Sequence, residues 1–401
     1  MSWFALRQHR EKFAALFLLA MSISHGAMVF KVAPFLKKGY QDFTTFYTAA
    51  TMLRSGQGSN LYDPDAQYRT EKKFAPDVPI RQAALPYMHP PFEALLFVPF
   101  TFLGYVPAYA LWTVFNLALI VLNLFLLRRN FPEIATLSPV MSGLAAAGFF
   151  PITIGLIQGQ DTILVLLGVV LCLVLLKEER DTWAGLALGL GLCKFHFAVP
   201  LALVLAFRRP RLLIGFVPMT LGFGALSIAV VGWQGVVHYV PYVMNLERTG
   251  AGGAIPASDM PNLRGLIDTL WGLRTDTAGS MAVTLVCSIA VLSATLWRVR
   301  RGDGSLHHTF GLATIAVILI SYHTLPYDLA LLFPSVLVLL ARAVSENERL
   351  SGADTGLLIL FFLTPLYVLL WLQMNQFAWF GLLLVWLMLR LSRSSATSVV
   401  A

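Results

Sequence analysis

Long apolar runs recur along the whole chain, and they constrain the fold more than any other feature of the sequence. A helix needs roughly 20 apolar residues to cross a hydrocarbon core of about 30 Å, and helices satisfy their own backbone hydrogen bonds in lipid. We therefore expect an all-α polytopic membrane protein with about 10–12 transmembrane helices. The twelve candidate runs, several of them short, are residues 13–35, 91–104, 106–127, 139–157, 161–176, 183–207, 211–231, 281–299, 308–322, 326–342, 354–373 and 375–391.

The composition excludes a water-soluble globule. Hydrophobic residues make up 57% of the chain, charged residues only 12%, and the mean hydropathy is +0.71. The net charge of +8 and the pI of about 9.5 suit a partner such as anionic membrane lipids or a phosphate-bearing substrate. They equally suit basic residues that only flank membrane helices. Nothing in the sequence supports nucleic-acid binding.

Residues 1–401 are predicted to form a single transmembrane domain with two large loops on one face. The apolar run 13–35 follows a basic segment and is too long for a signal-peptide core, so we interpret it as a retained first helix. With the N-terminus inside, residues 36–90 form a first outer loop and residues 232–280 a second. From Arg208 onward the basic residues favour this orientation. The inside set is Arg208, Arg209, Arg211, Arg298, Arg300, Arg301, Arg342, Arg349, Arg390 and Arg393, and the outside set is Arg248, Arg264 and Arg274.

The front half of the chain allows a second topology. Residues 91–127 would then be one crossing, and residues 183–207 a re-entrant hairpin around Lys194. Both topologies leave Asp42, the 232–280 loop and His323 on the same face. Only the segment Gln158-Gly159-Gln160-Asp161 changes sides.

The first outer loop is expected to contain short helices. Phe43, Phe46, Tyr47, Ala50 and Leu53 follow a helical spacing after Asp42, which predicts an amphipathic helix lying on the membrane. Asp42 is then either the N-cap of this helix or a carboxylate held at the membrane surface for chemistry.

Two apolar runs begin alike. Pro91-Phe92-Glu93 and Pro326-Tyr327-Asp328 each place a carboxylate two residues after a proline, and each has a histidine just upstream, His89 and His323. Chance is one explanation of this short similarity. The other is that two helix starts face one pocket.

Two ionisable side chains, Lys194 and His196, lie inside the apolar run 183–207. Such a group is costly in the bilayer and is by default a functional hypothesis. The alternatives are a lysine that reaches the interface and a histidine that is hydrogen-bonded in the core. His323, at the end of its run, is likewise either structural or part of a site.

Several short motifs resemble glycosyltransferase family 87. They are Asp42-Phe43-x-x-Phe46-Tyr47-x-Ala49-Ala50, Gly56, Leu61-Tyr62-Asp63, Tyr87-x-His89-Pro90-Pro91, Gln158-Gly159-Gln160-Asp161, Ala184-Gly185-x-x-x-Gly189 and Lys194. The resemblance extends over roughly residues 35–340. The chain departs from the family at His89-Pro90-Pro91 and Lys194-Phe195, where Tyr-Pro-Pro and Lys-Pro are usual, so the subgroup stays open.

The resemblance implies a GT-C-type bundle and transfer of a hexose from a polyprenyl-phosphate-sugar donor to a lipid or glycan acceptor. Such an enzyme is a multi-pass protein of the bacterial cytoplasmic membrane with its active site on the outer face, and mannose is the expected sugar. It also implies a general-base aspartate in the first outer loop, which maps onto Asp42, and a late histidine that assists the donor phosphate, which maps onto His323. We add Lys194 and His89 as donor-phosphate candidates. The candidates for the rest of the substrate pocket are Tyr47, Tyr87, His196, Asn262, Arg264 and Tyr327.

No metal and no cofactor are predicted. Asp63-Pro64-Asp65 matches the Asp-x-Asp metal motif of sugar-nucleotide enzymes, but the proline favours a turn, and the three cysteines lack metal-ligand spacing. Two other classes remain open, an envelope-polysaccharide polymerase or ligase and a secondary transporter. A transporter of this kind is typically built from repeats with polar sites at the bilayer midplane.

Overall fold

The computed structural model describes residues 3–36, 38, 41–75, 86–249, 255–272, 277–301, 305–345 and 350–394. Within these ranges all regular structure is helical, which confirms the prediction of an all-α polytopic membrane protein. Parts of both predicted loops, with Lys37, Arg274 and Arg349, lie outside the described residues. In chain order the α-helices are α1 (Trp3–Leu36), α2 (Phe43–Arg54), α3 (Pro64–Glu71), α4 (Glu93–Phe97), α5 (Tyr105–Asn130), α6 (Pro132–Ala135), α7 (Pro139–Gly148), α8 (Phe150–Gln158), α9 (Thr162–Lys177), α10 (Asp181–Gly189), α11 (Phe195–Ala206), α12 (Leu212–Thr249), α13 (Leu263–Leu270), α14 (Ala278–Arg301), α15 (Leu306–Ile320), α16 (Phe333–Val344), α17 (Gly352–Phe362), α18 (Thr364–Tyr367) and α19 (Gly381–Ser394).

Short 3-10 and π segments join several of these helices. The 3-10 segments are Gly58–Asn60, Val98–Phe102, Leu190–Lys194, Ala257–Asp259, Pro326–Leu332 and Phe377–Phe380, and Val368–Gln373 is a π-helix.

The number of membrane crossings depends on how the shorter helices are counted. Among the described residues, six helical stretches are long and apolar enough to span a membrane, or eight if each of two bent pairs is one span. The bent pairs are α7 with α8, at 62°, and α17 with the segment Thr364–Gln373, at 64°. The expected total of 10–12 therefore rests on shorter apolar helices, which are Glu93–Phe102, Thr162–Lys177, Leu306–Ile320 and Phe377–Ser392.

The segment from α10 to α11 is a hairpin rather than a crossing. Although Asp181–Ala206 has the length of one span, Arg209 Nη1 lies 3.5 Å from Asp181 Oδ1, so both ends meet at the same end of the bundle. The turn of the hairpin is at Lys194. Gln160 meanwhile contacts Asp42, which fixes the side of the Gln158–Asp161 segment. Residues 181–206 thus fold back at Lys194, and the Gln158–Asp161 segment lies beside Asp42, as the second topology predicts. Residues 91–127, in contrast, are divided between the helical stretch Glu93–Phe102 and α5.

Two glycines allow the hairpin to pack closely against α12. A Cβ on Gly185 would lie 1.9 Å from the Leu212 carbonyl oxygen, and one on Gly215 would lie 1.9 Å from the Thr182 carbonyl oxygen. Small residues give membrane helices this close backbone approach, which replaces the hydrophobic driving force that lipid does not supply.

Helix α2 is buried rather than lying on the membrane. Its side chains from Phe43 to Ala50 are buried on every face of the helix, against α3, α4 and the start of α5. The spacing predicted the helix, but its polar positions are threonines that form hydrogen bonds within the protein. One example is Thr44, whose Oγ1 lies 2.8 Å from the Tyr105 hydroxyl. Asp63 caps α3 by accepting from the Asp65 N–H at 2.9 Å, so Asp63-Pro64-Asp65 is a helix start.

A buried histidine joins the breaks of the two bent pairs. His25 Nδ1 lies 2.7 Å from the carbonyl oxygen of Ala147, beside the break between α7 and α8. Its Nε2 lies 2.7 Å from Thr364 Oγ1, at the break between α17 and α18. These bonds satisfy polar groups that a broken helix leaves in the apolar core.

Helix α12 is kinked at Gly232, whose φ of 75° is in the left-handed region that glycine adopts without steric cost. Beyond the kink the helix packs on the first loop. Tyr239 donates from its hydroxyl to the carbonyl oxygen of Met88 at 2.9 Å, and Gln67 Nε2 donates to the Tyr242 hydroxyl at 3.4 Å. The two predicted loops therefore meet and enclose a cavity.

Candidate active site

A cavity of about 380 Å³ lies at this end of the bundle. Its wall combines Asp42 of the first loop, the hairpin turn at Lys194 and the segment around His323, which are far apart in sequence. Six of the ten candidate site residues line it, namely Asp42, His89, Lys194, His196, His323 and Tyr327.

Asp42 is held by the two glutamines of one turn. Its backbone N–H donates to Gln158 Oε1 at 3.2 Å, and its Oδ2 accepts from Gln160 Nε2 at 2.7 Å. Asp42 precedes the first residue of α2, but its side chain makes no capping bond there. The carboxylate therefore faces the cavity instead of serving as the N-cap.

The turn Gln158-Gly159-Gln160-Asp161 requires its glycine. Gly159 ends α8 with a φ of 65°, and a Cβ at this position would lie 2.7 Å from Phe43 Cβ. Trp112 Nε1 donates to the Gly159 carbonyl oxygen at 2.9 Å. This close approach brings both glutamines to the start of α2.

Lys194 is neutralised by carboxylates of the protein. Its Nζ lies 2.9 Å from Asp328 Oδ1 and 3.5 Å from Asp161 Oδ1, and it donates to Gln160 Oε1 at 3.4 Å. Lys194 is a donor-phosphate candidate, but its ammonium has counter-charges within the protein, so it needs no lipid phosphate to compensate its burial.

The two similar helix starts converge on this group. His89 Nδ1 lies 3.0 Å from Glu93 Oε2, and Asp328 Oδ2 accepts from the Leu325 N–H at 2.8 Å. His89 and His323 both line the cavity, while Glu93 and Asp328 are buried behind it. The similarity thus corresponds to one pocket, as the second explanation predicted.

The three histidines that line the cavity, His89, His196 and His323, lie in different surroundings. Burial lowers the pKa of His89 to about 4, although nearby Asp161 opposes the shift, so His89 is neutral at physiological pH. The rings of His196 and His323 lie 6.5 Å apart between centroids. His196 Nε2 is buried and has no hydrogen-bond partner among the described residues. This pair is therefore better placed than His89 to bind a phosphate.

One wall of the cavity is apolar. It consists of side chains of α12 beyond the kink together with Ile255, and Val240 and Met244 are also largely exposed on the outer surface of the bundle. The cavity thus joins a polar group of side chains to an apolar face at the membrane. The residues of this wall are Val240, Val243, Met244 and Ile255.

Two of the predicted pocket residues are structural tyrosines. Tyr47 is buried among aromatic rings and donates to the Leu103 carbonyl oxygen at 2.8 Å. Tyr87 is fully buried and donates to the Pro90 carbonyl oxygen at 2.9 Å. The prediction that they line the pocket is wrong, because the aromatic core of the first loop takes both side chains.

Asn262 and Arg264 also lie outside the cavity wall. Asn262 caps α13 by accepting from the Gly265 N–H at 2.8 Å and donates from Nδ2 to the Ser321 carbonyl oxygen at 2.8 Å. The Arg264 guanidinium stacks over the Tyr322 ring at 3.9 Å. Both residues support the segment that carries His323. Tyr327, in contrast, lies on the wall with its ring 4.8 Å from Lys194 Nζ.

Four polar residues of the site were not among the candidates: Glu93, Gln160, Asp161 and Asp328. The similar helix starts contained Glu93 and Asp328, and the Gln-Gly-Gln-Asp motif contained the other two. The sequence alone does not show that these segments meet at Lys194.

Comparison with known proteins gives one match. The family model described as glycosyltransferase family 87 matches residues 87–326, which is more than half of the chain. This range includes the Gln-Gly-Gln-Asp turn, Lys194 and His323, while Asp42 precedes it. Neither curated proteins nor solved structures give a match.

Proposed function

This chain belongs to glycosyltransferase family 87 and is a membrane glycosyltransferase, and we propose that it transfers a hexose from a polyprenyl-phosphate donor to a lipid or glycan acceptor. The observation that carries the proposal is the position of Asp42 in a cavity that is polar at one wall and apolar at another. A polar headgroup and an isoprenoid chain require these two environments side by side.

In the proposed reaction Asp42 is the general base. An acceptor hydroxyl attacks the anomeric carbon, its proton passes to the Asp42 carboxylate, and the bond from that carbon to the phosphate oxygen breaks. The electron pair leaves with the polyprenyl phosphate. With one carboxylate and no covalent intermediate, the configuration at the anomeric carbon inverts.

The donor phosphate is proposed to bind at His196 and His323, with Lys194 close by. Imidazole N–H groups donate hydrogen bonds to phosphate oxygens, and these bonds strengthen as negative charge develops on the leaving group. Because Lys194 is paired with Asp328, it acts as an electrostatic neighbour rather than as the main phosphate ligand. His89 is less suited, since Glu93 engages its Nδ1.

The apolar wall supports a lipid-linked donor over a soluble sugar nucleotide. Val240 and Met244 line the cavity and also face outward from α12, so an isoprenoid chain would pass between the cavity and the bilayer along one helix. A nucleotide base and ribose would instead need hydrogen-bonding groups on this wall. We place the site on the outer face of the bacterial cytoplasmic membrane, where the basic residues of the back half orient it.

The test is transfer with purified protein in detergent. Labelled polyprenyl-phosphate-mannose and a bacterial lipid extract are supplied, with labelled GDP-mannose as the comparison. We expect a labelled product from the polyprenyl donor alone and loss of the product in Asp42→Asn. A product formed only from the nucleotide sugar would overturn the donor class, and polyprenyl-phosphate-glucose in parallel decides the hexose.

A further inference from the structure

Three potential metal ligands from two segments of the chain meet behind the cavity wall. They are His89 in the first loop, Glu93 at the start of α4 and Asp161 just before α9, and their ligating atoms all lie within 4.8 Å of one another. Within the cluster, His89 Nδ1 and Glu93 Oε2 lie 3.0 Å apart. Glu93 is 1% exposed and Asp161 is fully buried.

Three of the four carboxylate oxygens in this cluster lack a hydrogen-bond donor in the part of the chain that the structure describes. Among the described residues, Glu93 Oε1 and both oxygens of Asp161 have no hydrogen-bond partner. Asp161 precedes α9 but makes no side-chain capping bond. Lys194 approaches it only to 3.5 Å, longer than the usual 2.7–2.9 Å of a charge-assisted bond. A buried carboxylate oxygen without a hydrogen bond is unfavourable, so a further partner for these three oxygens would stabilise the cluster.

The charges of the buried carboxylates in this cluster must also be balanced. The Lys194 ammonium is matched by Asp328 at 2.9 Å. Glu93 and Asp161 are two further carboxylates of the same cluster, and Asp161 shares that one ammonium at 3.5 Å. Either protons or a cation must balance them. One proton allows a carboxyl–carboxylate hydrogen bond between the two acids, and one divalent cation neutralises both.

We propose that His89, Glu93 and Asp161 bind a divalent cation of the Mn²⁺ or Zn²⁺ type. One imidazole with two carboxylates is a ligand set that such ions accept. Neighbouring ligand atoms around an ion at roughly 2.1 Å are about 3 Å apart, which is the spacing of His89 and Glu93. This proposal differs from the expectation that no metal is bound. The proposed ligands do not include the residues of the Asp63-Pro64-Asp65 motif.

The position of the ion suggests what it does. Asp161 adjoins Gln160, which holds Asp42, while His89 lines the cavity. The cation would join the first loop to the start of α9 and place positive charge behind the wall that the donor headgroup faces. The proposed transfer does not depend on this ion. A negative result for the cation site would therefore leave the proposed function standing, and the reverse also holds.

Binding is tested with Mn²⁺ and the full chain in detergent, after EDTA treatment and its removal. Electron paramagnetic resonance should detect one saturable Mn²⁺ per chain, displaced by Zn²⁺. Glu93→Gln and Asp161→Asn should weaken binding by more than the roughly 10–100-fold that loss of an outer-shell partner costs. Asp259→Asn, a buried acid at the same end but outside the cluster, is the matched control and should bind as the wild type does.

A second measurement does not depend on whether those variants fold. Pulsed electron paramagnetic resonance of Mn²⁺ bound to the wild type should show a directly coordinated nitrogen, and that coupling should disappear in His89→Gln. Absence of saturable binding, or bound Mn²⁺ without nitrogen coupling, overturns the site. An infrared band of a protonated carboxylic acid that persists with Mn²⁺ present and is lost in Glu93→Gln would show that a proton occupies the cluster instead.

Discussion

Gln160 donates a hydrogen bond from Nε2 to Oδ2 of Asp42 over 2.7 Å. The same side chain accepts from Lys194 Nζ through its Oε1 at 3.4 Å. One amide thus connects the proposed base to the buried charge cluster and fixes how the carboxylate faces the cavity. Asp42 therefore lines the cavity and makes no side-chain capping bond to α2.

Asp42→Asn should abolish transfer, with a loss of at least about 100-fold, because an amide keeps the shape of the side chain but cannot take the proton. Insertion and folding should be unchanged, since an asparagine oxygen still accepts from Gln160. Initial rates with the polyprenyl donor measure the effect. Asp63→Asn, which keeps the capping oxygen of α3, is the control and should retain activity. Turnover near wild type in Asp42→Asn would remove Asp42 from the base role.

His323→Ala should weaken donor binding about 10-fold or more, the size expected for losing a hydrogen bond to a charged group. Equilibrium binding of polyprenyl phosphate measures this separately from turnover. His307→Ala is the control, because His307 lies near Glu133 at the opposite end of the bundle. Equal donor affinity in His323→Ala and the wild type would direct attention to the basic residues of the first loop.

Lys194→Met alone should destabilise the protein by roughly 3–5 kcal/mol, because it leaves Asp328 buried without its cation. Adding Asp328→Asn should restore a substantial part of that loss, since the amide can still accept from the Leu325 N–H. Thermal unfolding of both single variants and the double variant gives the coupling. Purely additive effects would contradict the ion pair.

Asp259→Asn should raise thermal stability above pH 6 and have little effect near pH 4. Burial raises the pKa of Asp259 to about 6, against a weaker opposing effect of the Phe377 backbone N–H. The folded state therefore holds the proton more tightly than the unfolded chain, so this group's contribution is complete at low pH and is lost as the pH rises towards 6. Melting curves at several pH values check the prediction, and an unchanged pH dependence in the variant would refute it.

Cysteines placed at Ser59 or Ser258 should react with an impermeant thiol reagent added to intact cells, whereas one at Ser305 should not. Ser59 and Ser305 are exposed and Ser258 is partly exposed. The side of the membrane on which each position lies therefore decides whether the reagent reaches it. The half-buried Cys287 is replaced by serine in the background chain. Labelling at Ser305 alone would invert the proposed orientation.

The helices of the first loop could be predicted from local spacing, but the burial of α2 could not. A single helix does not encode which neighbours cover its polar face, and here the threonines bond inside the protein. Likewise, Lys194 was recognisable as an unusual charge in an apolar run. Its partner Asp328 was visible only as part of a short similarity to the segment around Glu93. Contacts between distant segments decide which carboxylate meets which cation.

The pairing of Lys194 with Asp328 also has a consequence for biosynthesis. The ribosome completes the hairpin that carries Lys194 before Asp328 has been made, so at that stage the ammonium lacks the carboxylate that pairs with it at 2.9 Å. We therefore expect the hairpin to reach its final depth in the bilayer only after the segment Pro326–Leu332 has emerged. Truncated chains that end before this segment should be held by the insertion machinery or degraded by membrane proteases, while chains that extend just beyond it should accumulate.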